Sequence, residues 1–244
     1  MTETLGYGAR ARVVRDGDSA LKLYAHDVDK AEVFYEAYVH ALIEPTGLPI
    51  AQVLGVEQHA GQCSLRLALI KGTLLGDAFL QQPAEGPLLL QRFVELQLRI
   101  HRQHAALPYR LKTTLHHKLA QLAGQLPADR LQQLQDQLAA LPDGDALCHG
   151  DYHPRNVIVN DSGLHVIDWF DATLGDARAD ACRSYLILLT HAQPLAAPYL
   201  ECYCASAGVA DAEVLCWLPV LAAAKLTEGL ADEHEALLAI LNQA

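Results

Sequence analysis

The sequence predicts an α+β protein in two parts: a small N-terminal antiparallel sheet with one helix over 1–70, then a larger, mostly helical portion over 71–244. Short β-prone runs separated by turn residues fill the first part, and leucines at helical spacing dominate the second. Apolar β runs return only around 147–168, inside the helical portion.

Within the first part, ARVV and ALKLY flank Arg15-Asp16-Gly17-Asp18, which reads as a hairpin turn starting from Tyr7. Ala31, Phe34, Tyr35, Tyr38, Val39 and Leu42 are spaced as one face of a helix over Asp29 to Ile43, stopped by Glu44-Pro45-Thr46-Gly47. PIAQVLGVE and CSLRLALI then make a second hairpin around His59-Ala60-Gly61-Gln62. Beyond Lys71-Gly72-Thr73, an amphipathic helix is expected from Leu88 to His104. A helical hairpin follows over Leu115 to Leu141, broken at Leu126-Pro127-Ala128-Asp129.

A formal charge of −11 argues against nucleic acid as a partner, since that interaction rests on clustered Lys and Arg, and it favours a cationic ligand. The longest apolar stretch, Val214 to Ala224, is too short to cross a bilayer and contains Pro219, so no membrane association is expected. The start has no basic region followed by an apolar one, so no secretory signal is expected and the cytoplasm is the default expectation. The cysteines show no CxxC pair and read as buried thiols.

The chemistry-bearing segment is Leu147-Cys148-His149-Gly150-Asp151-Tyr152-His153-Pro154-Arg155-Asn156-Val157-Ile158-Val159, followed by His165-Val166-Ile167-Asp168-Trp169. The pattern HGDxHxxN and then IDW resembles the aminoglycoside phosphotransferase (APH) family of kinase-like small-molecule phosphotransferases. It parallels the HRDxxxxN and DFG elements of protein kinases. The resemblance implies a protein-kinase-like two-lobed fold, with a nucleotide-binding lobe over 1–70 and a helical lobe over 71–244 that holds the catalytic loop and acceptor site. It also implies transfer of the ATP γ-phosphoryl group to a small-molecule hydroxyl. Such chemistry needs a carboxylate to orient and deprotonate the hydroxyl, and metal ions to neutralise phosphate oxygens. By the resemblance Asp151 is the base, and Asn156 and Asp168 are ligands for magnesium.

Other positions extend the resemblance. Gly6-Tyr7-Gly8-Ala9-Arg10-Ala11-Arg12-Val13 follows GxGxxGxV with Ala11 at the third glycine, so Gly6 and Gly8 would cover the ATP phosphates. Lys22 stands in an apolar strand, where an unpaired ammonium is costly, and so needs an acid. Glu36 is the family's partner by resemblance, with Glu32 one turn earlier as the rival. The run Ser64 to Gly72 is similar to the connector between lobes, with adenine contacts expected from the backbone near Ala68 to Ile70. Asp180 is expected to brace the catalytic loop, and His101, His149 and His153 to hold its shape. Asp171 and Asp176 are read as helix caps or solvated carboxylates, and Asp232, Glu233 and Glu235 as an acidic surface helix end or a polycation site.

Eleven residues separate Asp168 from Asp180, which leaves no room for a peptide-docking segment, and Gly150 replaces the arginine of HRD. A small acceptor such as an aminoglycoside, amino alcohol or sugar is therefore expected, and no obligate protein partner is evident. The alternatives are a pseudokinase-like module that holds nucleotide without transfer and a protein kinase. The joint presence of Lys22, Asp151, Asn156 and Asp168 argues against the first, and the short segment after Asp168 against the second.

Overall fold

Over residues 3–8, 10–59 and 61–243, which the computed structural model describes, the chain begins with strands β1 (Thr4–Tyr7), β2 (Ala11–Asp16) and β3 (Ser19–Tyr24). Ala9 of the glycine-rich run and Ala60 of the second turn lie outside the described residues. Helix α1 (Lys30–Ile43), strands β4 (Val53–His59), β5 (Gln62–Ala68) and β6 (Thr73–Leu74), and helices α2 (Leu75–Gln81), α3 (Gly86–His101), α4 (Leu111–Gln121) and α5 (Ala128–Ala140) follow. Then come strands β7 (Ala146–Cys148), β8 (Val157–Asn160), β9 (Gly163–Val166) and β10 (Thr173–Gly175). Helices α6 (Ala177–His191), α7 (Gln193–Ala207), α8 (Asp211–Leu215), α9 (Leu218–Leu226) and α10 (His234–Gln243) close the order. Contacts group Met1–Ala84 with Pro154–Asp171 as one unit and Glu85–His153 with Ala172–Ala244 as another.

In the first unit an antiparallel sheet runs β1-β2-β3-β5-β4, and a smaller one runs β6-β8-β9. Strand alternation sorts β3 cleanly. Leu21 and Leu23 pack with Val14 on one face, while Tyr24 joins Val33, Ala37 and Leu65 under α1. Asp29 caps α1 by accepting from the Ala31 N–H at 2.9 Å. Helix α1 buries Val33, Glu36, Ala37, Val39, His40 and Ile43, so a carboxylate and an imidazole share the apolar face.

Gly72 packs against β8, where an added Cβ would lie 2.4 Å from the Val159 carbonyl oxygen and 2.6 Å from Ile158 Cγ2. Gly72→Ala is expected to cost about 1–3 kcal/mol by overpacking. A melting curve should show it as a drop of roughly 2–4 °C per kcal/mol for a chain of this size.

The second unit joins β10 to β7 antiparallel, Thr173 opposite Cys148. Its helices α3, α6 and α7 bury Phe93, Tyr152, Tyr199 and Ile100, with Phe93 and Tyr152 stacked at 4.3 Å. Helix α3 starts at Gly86, earlier than its apolar spacing suggests, because Pro87 sits in the first turn where its missing N–H costs nothing. Strands β1, β6 and β10 were not expected: a pairing of two to four residues leaves no alternation to read. Among the described residues no single helix is long and apolar enough to cross a membrane, and the apolar helical pair Gln193–Ala207 and Asp211–Leu226 is bent by 110°. Of the free thiols, Cys148 and Cys182 are buried, Cys63, Cys202 and Cys204 half-buried, and Cys216 exposed, which corrects the reading of all as core residues.

Candidate active site

Lys22 and Tyr24 point from β3 to the same side, the side that faces Glu36 of α1. Lys22 Nζ donates to Glu36 Oε1 at 2.7 Å and to Asp168 Oδ1 at 2.9 Å, and the Tyr24 hydroxyl donates to Glu36 Oε2 at 2.5 Å. The Glu36 side chain is 3% exposed and that of Lys22 15%. Burial works against the Lys22 ammonium, but the charges of Asp168 and Glu36 more than offset it and raise its pKa. Burial, together with the Glu36 charge, lifts the Tyr24 phenol far above its ordinary value, so its hydroxyl remains a donor. Glu32, the rival partner, instead meets Arg10, whose Nη2 donates to its Oε1 at 2.9 Å.

Asp168 has φ 65°, the one positive φ outside glycine among the described residues. An aspartate in the left-handed region stores strain on the order of 1–3 kcal/mol, which the surrounding structure must hold. Its anchor is the hairpin β8–β9: Val157 pairs with Val166, and the Ile167 N–H donates to the Asn156 carbonyl at 3.0 Å. Buried Asn156 and half-exposed Asp168 are thereby brought to the same end of one hairpin.

Gly6 lies in β1 beside a bulge, opposite Val13, and the Gly8 N–H donates to the Ala11 carbonyl at 2.8 Å. A Cβ on Gly6 would meet nothing within 4 Å, and one on Gly8 only the Ala11 oxygen at 3.6 Å. Packing within the protein thus does not demand glycine at either position. At the end of β5, the Ala68 N–H donates to Gln52 and the Leu69 N–H to Asp18, with Ile70 the next residue along.

In the second unit, Asp151 follows Gly150, which has φ 81°. The Asp151 N–H donates to His149 Nδ1 at 3.2 Å, and His153 Nε2 lies 3.3 Å from Asp151 Oδ2. Burial disfavours the Asp151 carboxylate, but its hydrogen bond to His153, with Arg183 and His149 nearby, holds its pKa well below the ordinary range. With 34% of the side chain exposed, that effect is partly screened.

Asp180, one of the braces expected from the sequence, accepts from the Gly150 N–H at 2.7 Å and lies 2.9 Å from His101 Nε2. Gln97 adds a bond to the same carboxylate at 3.3 Å. Asp176 is a helix cap: it accepts from the Arg178 N–H at 2.8 Å. The reading of Glu233 as a surface or polycation-binding acid is corrected. It is 1% exposed, 2.7 Å from Lys225 and paired with His191. Its flanking acids look solvated in sequence, whereas its own partners come from α9 and α6.

Tyr24 and Arg183 were missed by sequence reading, although each left a signal. Tyr24 lies two residues after Lys22 on one strand face. Arg183 lies three after Asp180 on one helix face.

No curated protein matches the chain. Solved structures do. An aminoglycoside phosphotransferase, APH(4)-Ia in a thermostable apo form, has 17% identity and a TM-score of 0.74, covering 100% of this chain and 93% of that one. A choline/ethanolamine kinase family protein from Mesorhizobium loti has 21% identity and a TM-score of 0.67, with 100% and 85% covered. The ternary complex of APH(2")-IIa with streptomycin and ATP has 15% identity and a TM-score of 0.66, with 100% and 91% covered. These likenesses establish the α+β, kinase-like fold. Residues 3–236 also match the family described as "Phosphotransferase enzyme family", and with nearly the whole chain inside that match the protein belongs to this family.

Proposed function

We propose that the protein transfers the γ-phosphoryl group of ATP to a hydroxyl of a small molecule. The observation that carries this reading is Lys22 bridging Glu36 and Asp168, at 2.7 and 2.9 Å, with Asp168 held in a strained backbone conformation. A buried ammonium tied to a helix carboxylate is oriented to receive phosphate oxygens.

Asn156 and Asp168 fit magnesium: both are hard oxygen donors, they share one hairpin end, and nucleotide phosphates complete such a shell. Bound magnesium would neutralise charge on the phosphates. Lys22 would hold the α- and β-phosphates, with Glu36 fixing its direction. Gly6 and Gly8, where packing does not demand glycine, leave their backbone free to approach the phosphates. Ala68 to Ile70 would take the adenine edge through backbone groups.

Asp151 would orient the acceptor hydroxyl and take its proton, since its carboxylate stays ionised at neutral pH. Residues 1–70 would serve the nucleotide and 71–244 the acceptor, the latter lying against helices after Ala181. The strongly acidic chain favours an acceptor carrying an amine, such as an aminoglycoside or amino alcohol, over a neutral sugar. One relative of the same fold is described with both streptomycin and ATP. The cytoplasm, where ATP is available, would be the site of action.

Melting curves with ATP and magnesium test the first step, and ATP consumption across aminoglycosides, amino alcohols and sugars tests the second. Stabilisation by nucleotide together with one acceptor that accelerates ATP loss is expected. Stabilisation without any acceptor-dependent turnover would favour a nucleotide-binding module instead.

A further inference from the structure

Arg183 lies one turn after Asp180 on α6, and its side chain is 10% exposed. Its Nε donates to the Gly150 carbonyl at 3.2 Å, while its Nη2 donates to Glu228 Oε1 at 2.6 Å. Glu228, just past the end of α9, also receives Lys225 at 3.1 Å and Lys118 at 3.3 Å. Burial would push the Glu228 carboxyl up, but Arg183, Lys225 and Lys118 pull it below its ordinary value, so it stays a charged anchor. Lys225, 4% exposed, continues to Glu233 at 2.7 Å. The guanidinium is therefore fixed at both ends and is not a free surface cation.

On the loop, the Gly150 N–H is taken by Asp180 at 2.7 Å and its carbonyl by Arg183. Both peptide groups flanking this left-handed glycine are gripped from one face of α6, and the second of them is the peptide that carries Asp151. Turning that peptide would swing the Asp151 carboxylate. Asp180 alone leaves the turn free, because it holds only the preceding peptide.

We infer that Arg183 is a positioning residue for Asp151: anchored by Glu228, it locks the Gly150–Asp151 peptide and so aims the carboxylate at the acceptor hydroxyl. The part about aiming rests on the phosphotransferase reading above; the part about locking the peptide does not.

The test compares Arg183→Met and Glu228→Gln with the wild type in three readouts: kcat, KM for ATP, and amide hydrogen exchange of the segment 147–153. A misplaced reacting group costs up to about 100-fold. Arg183→Met should lower kcat by about that factor with KM for ATP unchanged, and the 147–153 amides should exchange faster. Guanidinium added to Arg183→Ala should restore part of kcat. Glu228→Gln, which keeps Arg183 but weakens its anchor, should move kcat and exchange the same way by less, and it carries the comparison alone should Arg183→Met not fold. Unchanged kcat, unchanged exchange, or a parallel loss of ATP affinity overturns the assignment. Should the wild type transfer no phosphoryl group, the functional reading fails, and the exchange data still decide whether Arg183 locks the loop.

Discussion

Asp151→Asn should abolish nearly all turnover, lowering kcat by about 100- to 10,000-fold, the range for losing a positioned general base. The amide keeps the size of the carboxylate and can still meet the acceptor, but it cannot take a proton. The Gly150 peptide remains held by Asp180 and Arg183, so the loop should keep its shape. ATP binding should be unaffected, because Lys22, Glu36 and Asp168 bind one another without Asp151. Isothermal titration with a non-hydrolysable ATP analogue, set beside steady-state kinetics, checks the split. A variant that loses nucleotide binding along with turnover would place Asp151 in a structural role.

Lys22→Met should act on both affinity and stability. Removing the ammonium takes away the group proposed to grip the phosphates, so KM for ATP should rise and kcat fall together. It also strands Glu36, whose side chain is 3% exposed, leaving it the hydrogen bond from Tyr24. Breaking a buried pair from one side costs about 3–5 kcal/mol, and the 15% exposure of Lys22 places this case toward the lower end.

The loss should depend on pH in a definite direction. Burial already pushes the Glu36 carboxyl up, and without Lys22 it rises further above its unfolded value. A carboxyl with a raised folded pKa destabilises the protein once it must ionise, and that penalty fades as pH falls. Denaturant titrations of wild type and Lys22→Met should therefore converge as pH falls from neutral towards the ordinary glutamate range.

How far the sequence reveals this site depends on whether the signal is local. Lys22 is legible because an ammonium in an apolar strand demands a partner. Which acid answers is not, since Glu32 and Glu36 are one turn apart; the buried stripe of Val33, Ala37 and His40 selects Glu36, and only packing defines that stripe. Asp151, Asn156 and Asp168 stand out through their fixed order in a short segment. Tyr24 reads as an ordinary strand aromatic until its hydroxyl is found on Glu36. Glu228 is invisible from sequence: an exposed-looking acid at a helix end becomes an anchor only because Arg183 reaches it from 45 residues away. Helix existence followed from leucine spacing, whereas strands of two or three residues, such as β6 and β10, exist through their partners alone.

The Lys22–Asp168 pair spans 146 positions. A ribosome adding roughly 5–20 residues per second delivers Asp168 on the order of 10 s after Lys22. Over that interval β3 and α1 have emerged while the hairpin β8–β9, which completes the same unit, has not, and the chain for α3, α4 and α5 is made in between. The first part of the protein to be synthesised therefore cannot finish folding until that hairpin has been made. A nascent chain released before residue 157 would carry Lys22 and Glu36 without the hairpin that completes their unit, which makes translational arrest midway more damaging here than in proteins whose units are contiguous in sequence.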